Sequence, residues 1–180
     1  DKGKEIRLPA AAYHSLEFRQ LLGRFVAVCN AIAYAHARGV LHRDLKPSNI
    51  MLGKYGETLV VDWGLAKATG TSDSSIEASQ APLKASHYRS ESAETMMGSA
   101  IGTISYMSPE QAAGRVDLLG PATDIYLLGA TLYHILVGTA PHRGLPPEKL
   151  LTQIQSGKFP EPRDVPAALA SVCRKAMARS

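Results

Sequence analysis

The chain has 180 residues, of which 45% are hydrophobic, 20% charged and 6% aromatic. That length and balance suit one globular domain with a sizeable core, and they exclude a disordered acidic tail, a collagen-like repeat and a disulfide-stapled miniprotein. Lys plus Arg (20) against Asp plus Glu (16) leaves a formal charge of +4, and the positive residues are scattered rather than gathered in a stripe, so charge points to no nucleic-acid partner.

The N-terminal Asp1-Lys2-Gly3-Lys4 lacks an initiator Met, an apolar signal core and a transit pattern, and reads as the start of a piece cut from a longer protein. From Leu16 to His36, apolar residues recur at Leu22, Phe25/Val26, Cys29 and Ile32/Ala33, which predicts a helix, with Gly39 placed to cap its end. A polar stretch, His42 to Asn49, follows between Val40-Leu41 and Ile50-Met51-Leu52. A turn at Gly53 to Gly56 leads into the β-branched run Thr58-Leu59-Val60-Val61, so the two apolar runs predict a small hairpin that sets the 42–49 loop beside Asp62. Between Thr69 and Ser99, hydroxyl-bearing and small residues dominate and hydrophobic periodicity vanishes, which predicts a long loop.

Pro121 opens a strongly apolar helix that runs to Val137, with Gly138 just past its end. The run from Ile125 is too short for a bilayer span and is broken by His134, so it reads as a buried helix. Pro146-Pro147-Glu148 opens another helix through Ile154, and Pro166 a last one still running at Ser180. The expected fold class is α+β and mainly helical. Cys29 and Cys173 lie far apart without a CxxC partner, which fits a reducing, cytoplasmic compartment and argues against a zinc site or a disulfide framework. His36 and His42 do not share a helix face as a metal pair would.

The stretch His42-Arg43-Asp44-Leu45-Lys46-Pro47-Ser48-Asn49 packs a carboxylate, an ammonium two residues on and an amide five residues on into one loop. A carboxylate can orient a hydroxyl and take its proton, an ammonium can neutralise a transferring phosphoryl group, and an amide oxygen can hold a hard cation. Asp62 adds a second oxygen ligand. Magnesium is commonly held by one or two protein oxygens together with substrate phosphates, so Asn49 with Asp62 is a sufficient share.

At these residues the chain resembles the eukaryotic-type (Hanks-type) serine/threonine protein kinases in their bacterial wording. His42-Arg43-Asp44 is similar to their catalytic loop (42–49), Asp62-Trp63-Gly64 to the metal-binding triplet normally read DFG, and Ser108-Pro109-Glu110 to the triplet normally read APE. The resemblance implies a protein-kinase-like C-terminal lobe over 1–180, with an activation segment at 62–110. It implies ATP and Mg²⁺ as cofactors and a protein substrate with a serine or threonine acceptor. Lys46, with Thr103 in Gly102-Thr103-Ile104-Ser105-Tyr106, points to the serine/threonine class, and Thr103 would bond to Asp44 and Lys46. In the family's scheme Asp44 positions the acceptor hydroxyl, Lys46 neutralises the γ-phosphate, Asn49 and Asp62 hold the metal, and Met51 floors the adenine site. His42 and Trp63 read as packing residues, and Asp124 as the tie that holds the His42-Arg43 turn. Arg43 implies regulation by an anionic group on the activation segment, with Thr95 and Ser99 as the favoured hydroxyls.

Three departures stand out. The chain contains no G-x-G-x-x-G, no V-A-I-K lysine and no partner glutamate helix, so the nucleotide-gripping N-terminal lobe is missing from it. The arginine that pairs with the glutamate at Glu110 is expected beyond Ser180, leaving Glu110 unpaired. Trp63 replaces the usual Phe and brings an indole N–H that wants a partner. Ser48 and His134 replace two glutamates of basophilic kinases, which argues against a demand for Arg before the target hydroxyl. The expected function is ATP-dependent phosphoryl transfer to serine or threonine as part of a complete kinase, the chain alone being inactive. The alternative is a kinase-like binding or scaffold module without catalysis. No membrane segment is expected in the chain, although the parent protein can be tethered outside it.

Overall fold

The computed structural model describes residues 9–63, 67–68 and 102–178. Helix α1 (Leu16–His36) begins at Ser15, whose side chain accepts the Phe18 N–H, and is capped by Ala37, with Gly39 (φ 71°, a conformation that suits a residue without Cβ) closing the turn that follows. Strand β1 (Val40–Leu41) pairs antiparallel with β4 (Lys67–Ala68), a partner that the sequence pattern did not announce. Strands β2 (Ile50–Leu52) and β3 (Thr58–Val60) form the expected hairpin, with Ile50 opposite Val60 and Met51 opposite Leu59. Arg24 of α1 fastens the hairpin turn by donating to the carbonyls of Gly53 (3.1 Å) and Glu57 (3.2 Å). Glu57 fills the space that a Cβ on Gly53 would need.

The short helix α2 (Pro109–Ala112) carries a full capping box, with Ser108 and Gln111 each bonding the other's backbone N–H. Helix α3 (Pro121–Val137) is the centre of the molecule. Phe18 of α1 and Cys173 and Met177 at the far end pack with Tyr126, Ala130, Tyr133 and Leu136 in one cluster. Val28 and Ile32 of α1 pack with Leu45 and Leu127 in a second. A helix buried on nearly every side explains its almost unbroken apolar run, with Ile125 as an exposed exception. Helices α4 (Pro147–Gln155) and α5 (Ala167–Ala176) complete the order. The fold is therefore mainly helical with two small antiparallel ladders, and among the described residues no helix is long and apolar enough to cross a membrane.

Two expectations need correction. Helix α5 does not run on to Ser180 but stops at Ala176, because Met177 leaves the helical path (φ −96°, ψ 7°) to sit fully buried against α3. Glu110 is not a buried orphan: it is half-buried and accepts the Thr123 hydroxyl at 2.7 Å. The long loop at 69–99 lies outside the described residues.

The close approach of α3 to α5 depends on Gly129, where a Cβ would fall 2.8 Å from Met177 Cγ and 2.9 Å from the Ala176 Cβ. Gly129→Val should therefore cost about 1–3 kcal/mol through overpacking, read as a lower midpoint in urea unfolding; an unchanged midpoint would contradict the tight crossing. His142 offers a second test. It is fully buried, its Nδ1 has no partner among the described residues, its Nε2 lies 3.3 Å from the Tyr126 hydroxyl, and burial pushes it down to about 4. The unfolded chain takes up that proton near pH 6.5, so stability should fall as pH drops from about 6.5 to 4, by about 3 kcal/mol in all. His142→Phe should flatten that part of the urea-midpoint profile, and an unaltered slope would exclude His142 as its source.

Candidate active site

The loop between β1 and β2 is held from below by one carboxylate. Asp124, completely buried in the first turn of α3, accepts the His42 N–H on Oδ2 at 2.9 Å and the Arg43 N–H on Oδ1 at 2.7 Å. His36, at the end of α1, places its Nε2 2.8 Å from the same Oδ2. These bonds satisfy a group that would otherwise be costly to bury. They also hold Arg43 in the left-handed region (φ 67°), a conformation that costs a residue with a Cβ about 1–2 kcal/mol. From α2, Gln111 Nε2 donates to the Arg43 carbonyl at 2.7 Å, so the turn is gripped on both sides.

His42 is fully buried and does more than fill space. Its Nδ1 accepts the Asp44 N–H at 3.2 Å while Nε2 donates to the Val61 carbonyl at 3.1 Å, which fixes the tautomer. Its ring packs at 4.6 Å, centroid to centroid, on Trp63, whose indole N–H finds the Val60 carbonyl at 3.0 Å. The larger aromatic thus satisfies its own donor within its strand end.

Above this base lie the groups expected to carry chemistry. Lys46 Nζ donates to Asp44 Oδ2 at 2.8 Å and to the Thr103 hydroxyl at 3.2 Å. Asn49, largely buried, donates through Nδ2 to the Asp44 carbonyl at 2.8 Å and to Asp44 Oδ2 at 3.0 Å. One carboxylate oxygen of Asp44 thus receives two donors, and the Asn49 amide turns its oxygen away from Asp44. The Val61 N–H donates to the Asn49 carbonyl at 2.9 Å, which sets Asp62 beside Asn49 along the hairpin. Asp62 is exposed and, like Arg43, has a positive φ (62°). Amide and carboxylate oxygens are hard donors, the kind Mg²⁺ takes, so the residues present fit that ion.

Met51 is 57% exposed and pairs with Leu59 on the open hairpin, so it is not a core residue. Arg43 is partly desolvated, which lowers its pKa, with the Asp124 charge acting the other way. Thr95 and Ser99 lie outside the described residues, as does Gly64. Reading the sequence missed His36 and Gln111. His36 fell on the apolar face of a predicted helix, and only the fold brings it to Asp124. Gln111 could have been found from the Ser108-x-x-Gln111 spacing, which marks a capping box.

Asp124→Asn should replace one acceptor with an N–H donor facing backbone N–H groups. The expected loss is about 2 kcal/mol of stability, read in urea unfolding, and the amides of His42 and Arg43 should lose protection in hydrogen exchange. Unchanged protection of those two amides would show that the carboxylate does not hold the turn.

Comparison with known proteins agrees with this geometry. A model of the protein kinase domain matches residues 12–178. The serine/threonine-protein kinase PknD of Protochlamydia amoebophila is 38% identical over 163 residues, covering 87% of this chain and 16% of the relative. PknD of Chlamydia felis is 36% identical over 160 residues, with 87% and 17% covered. PknD of Chlamydia caviae is 33% identical over 175 residues, with 95% and 18% covered. The chain spans less than a fifth of the length of these relatives. With the Asp124-anchored loop, the Asp44–Lys46–Thr103 contacts and a family match over nearly its whole length, this chain belongs to the protein kinase domain family, in its bacterial serine/threonine style.

Proposed function

We propose that the chain is the C-terminal lobe of an ATP- and Mg²⁺-dependent protein kinase that phosphorylates serine and threonine hydroxyls. The observation that carries this reading is the shared oxygen of Asp44, met by Lys46 at 2.8 Å and Asn49 at 3.0 Å. Two donors on Oδ2 orient the carboxylate, and Oδ1 is the atom for an incoming hydroxyl. Asp44 would align that hydroxyl and accept its proton as the oxygen attacks the γ-phosphorus. Lys46, moving between Asp44 and the phosphoryl oxygens, would offset their charge, with Thr103 holding its ammonium in place. The Asn49 amide oxygen and the Asp62 carboxylate would hold Mg²⁺, which when bound neutralises the phosphate oxygens.

The exposed Met51 and Leu59, cross-strand partners on one face of the hairpin, support a role under a nucleotide and a second lobe, since paired apolar groups on an open face want a cover. That lobe would bring the glycine loop and lysine that the chain lacks. Arg43 would be the cation that an activation-segment phosphate offsets, with Thr95 and Ser99 as acceptors. The two free cysteines fit a cytoplasmic domain.

The test is phosphoryl transfer from Mg-ATP to a mixed serine/threonine peptide library by the complete protein. Asp44→Asn should lower kcat by about a hundredfold to ten-thousandfold, with nucleotide binding retained. The 180-residue chain alone should transfer negligibly. Transfer unaffected by Asp44→Asn would overturn the reading, and peptide binding without any transfer would favour a scaffold role.

A further inference from the structure

Two short hydrogen bonds that take no part in the scheme above close a ring around the turn that carries Asp44. Asp124 of α3 holds that turn through the N–H groups of His42 and Arg43, at 2.9 and 2.7 Å. Its neighbour in the chain, Thr123, donates its hydroxyl to Glu110 of α2 at 2.7 Å. Gln111, the next residue of α2, donates through Nε2 to the Arg43 carbonyl, also at 2.7 Å. The path therefore runs from α3 to the turn, from the turn to α2, and from α2 back to α3.

Both polar atoms of the Gln111 side chain are engaged, since Oε1 accepts the Ser108 N–H at 3.1 Å while Nε2 reaches Arg43. An amide carries its acceptor and its donors in one rigid plane, so capping α2 and gripping the turn are a single placement. Ser108 is fully buried and Pro109 is buried with it, which fixes the base from which Gln111 reaches out. On the other side, the Asp44 N–H donates to His42 Nδ1 at 3.2 Å. The Arg43 carbonyl and the Asp44 N–H belong to one planar trans peptide and point in opposite directions. Gln111 and His42 thus fix the same peptide plane from its two edges.

The same stretch reaches Asp44 by a second route. Residues 102–104 form a helical turn, and the N–H groups of Tyr106 and Met107 close on the carbonyls of Thr103 (3.2 Å) and Ile104 (3.0 Å), which leads directly into the Ser108 cap. Thr103 accepts from Lys46, whose ammonium also meets Asp44 Oδ2. Residues 102–113 therefore hold the carboxylate of Asp44 through Lys46 and its backbone through Gln111.

We propose that Gln111 is a positioning residue: its bond to the Arg43 carbonyl fixes the Arg43–Asp44 peptide, so that Asp44 stands in place only while residues 102–113 are seated on α3. The proposal rests on the kinase reading for what Asp44 does, and deepens it by naming the element that governs Asp44.

The test compares Gln111→Glu, Gln111→Met and Ser108→Ala in the complete protein, with Mg-ATP and a serine peptide. Gln111→Glu keeps an acceptor for the Ser108 N–H but sets a carboxylate oxygen against the Arg43 carbonyl, and Gln111→Met removes the donor without adding charge. Both should lower kcat by about tenfold to a hundredfold, with KM for ATP changed by less than about twofold. Ser108→Ala weakens the cap yet leaves Gln111 its bond to Arg43, so it should lower the urea midpoint and keep kcat within about twofold. Hydrogen exchange gives a readout independent of transfer: the Asp44 amide should exchange about tenfold faster in Gln111→Glu and at the unaltered rate in Ser108→Ala. Transfer by the unsubstituted protein with kcat unchanged in both Gln111 variants, or with kcat falling as far in Ser108→Ala, overturns this proposal and leaves the kinase reading intact. Absence of transfer from the unsubstituted protein overturns the kinase reading, and the Asp44 amide then decides the tie: selective loss of protection in Gln111→Glu supports it, and equal protection in the two variants overturns it.

Discussion

Everything at the candidate site depends on a single buried carboxylate. Asp124 sits in the first turn of the most apolar helix among the described residues, and a carboxylate there is tolerable only with strong donors. It finds them in the backbone of His42 and Arg43 and in His36. The burial that makes the group costly also makes its geometry exacting, since few other arrangements would satisfy both oxygens. Helix α3 is itself locked between α1 and α5 by two apolar clusters. Core packing thus reaches the loop through two short hydrogen bonds rather than through the loop's own contacts.

From that anchor the positions of the polar groups follow in steps. Arg43 takes the left-handed conformation, the chain reverses, and Leu45 drops into the core while Asp44 and Lys46 stay at the opening. The Pro47–Asn49 turn returns Asn49 to Asp44 and starts the hairpin that carries Asp62. A carboxylate, an ammonium, an amide and a second carboxylate are thereby gathered without a long-range sheet. Phosphoryl transfer asks for positioning and charge neutralisation more than covalent chemistry, and this loop is built for positioning.

Local spacing was enough to read Asp44, Lys46 and Asn49, because a tight loop keeps near neighbours in sequence near in space. The helices α1 and α3 and the hairpin were equally legible from periodicity and turn residues. Thr103 and Asp124 are another matter: their partners lie 57 and 82 residues away, and spacing alone carries no such information. The resemblance to a family supplied them. His36, Gln111 and the β1–β4 ladder went unread because each depends on how separate elements meet. Met177 ended α5 early for the same reason, as a core vacancy beside Gly129 outweighed local helix propensity.

The central claim is that these residues serve transfer of the γ-phosphoryl group of ATP to an aliphatic hydroxyl. The most direct measurement is to give the complete protein γ-labelled ATP with Mg²⁺ and an equimolar mixture of serine, threonine and tyrosine peptides, then identify the labelled amino acid. The account predicts label on phosphoserine and phosphothreonine, absent without Mg²⁺ and absent in Asn49→Ala. Label on tyrosine alone, or on any residue in metal-free conditions, would contradict it.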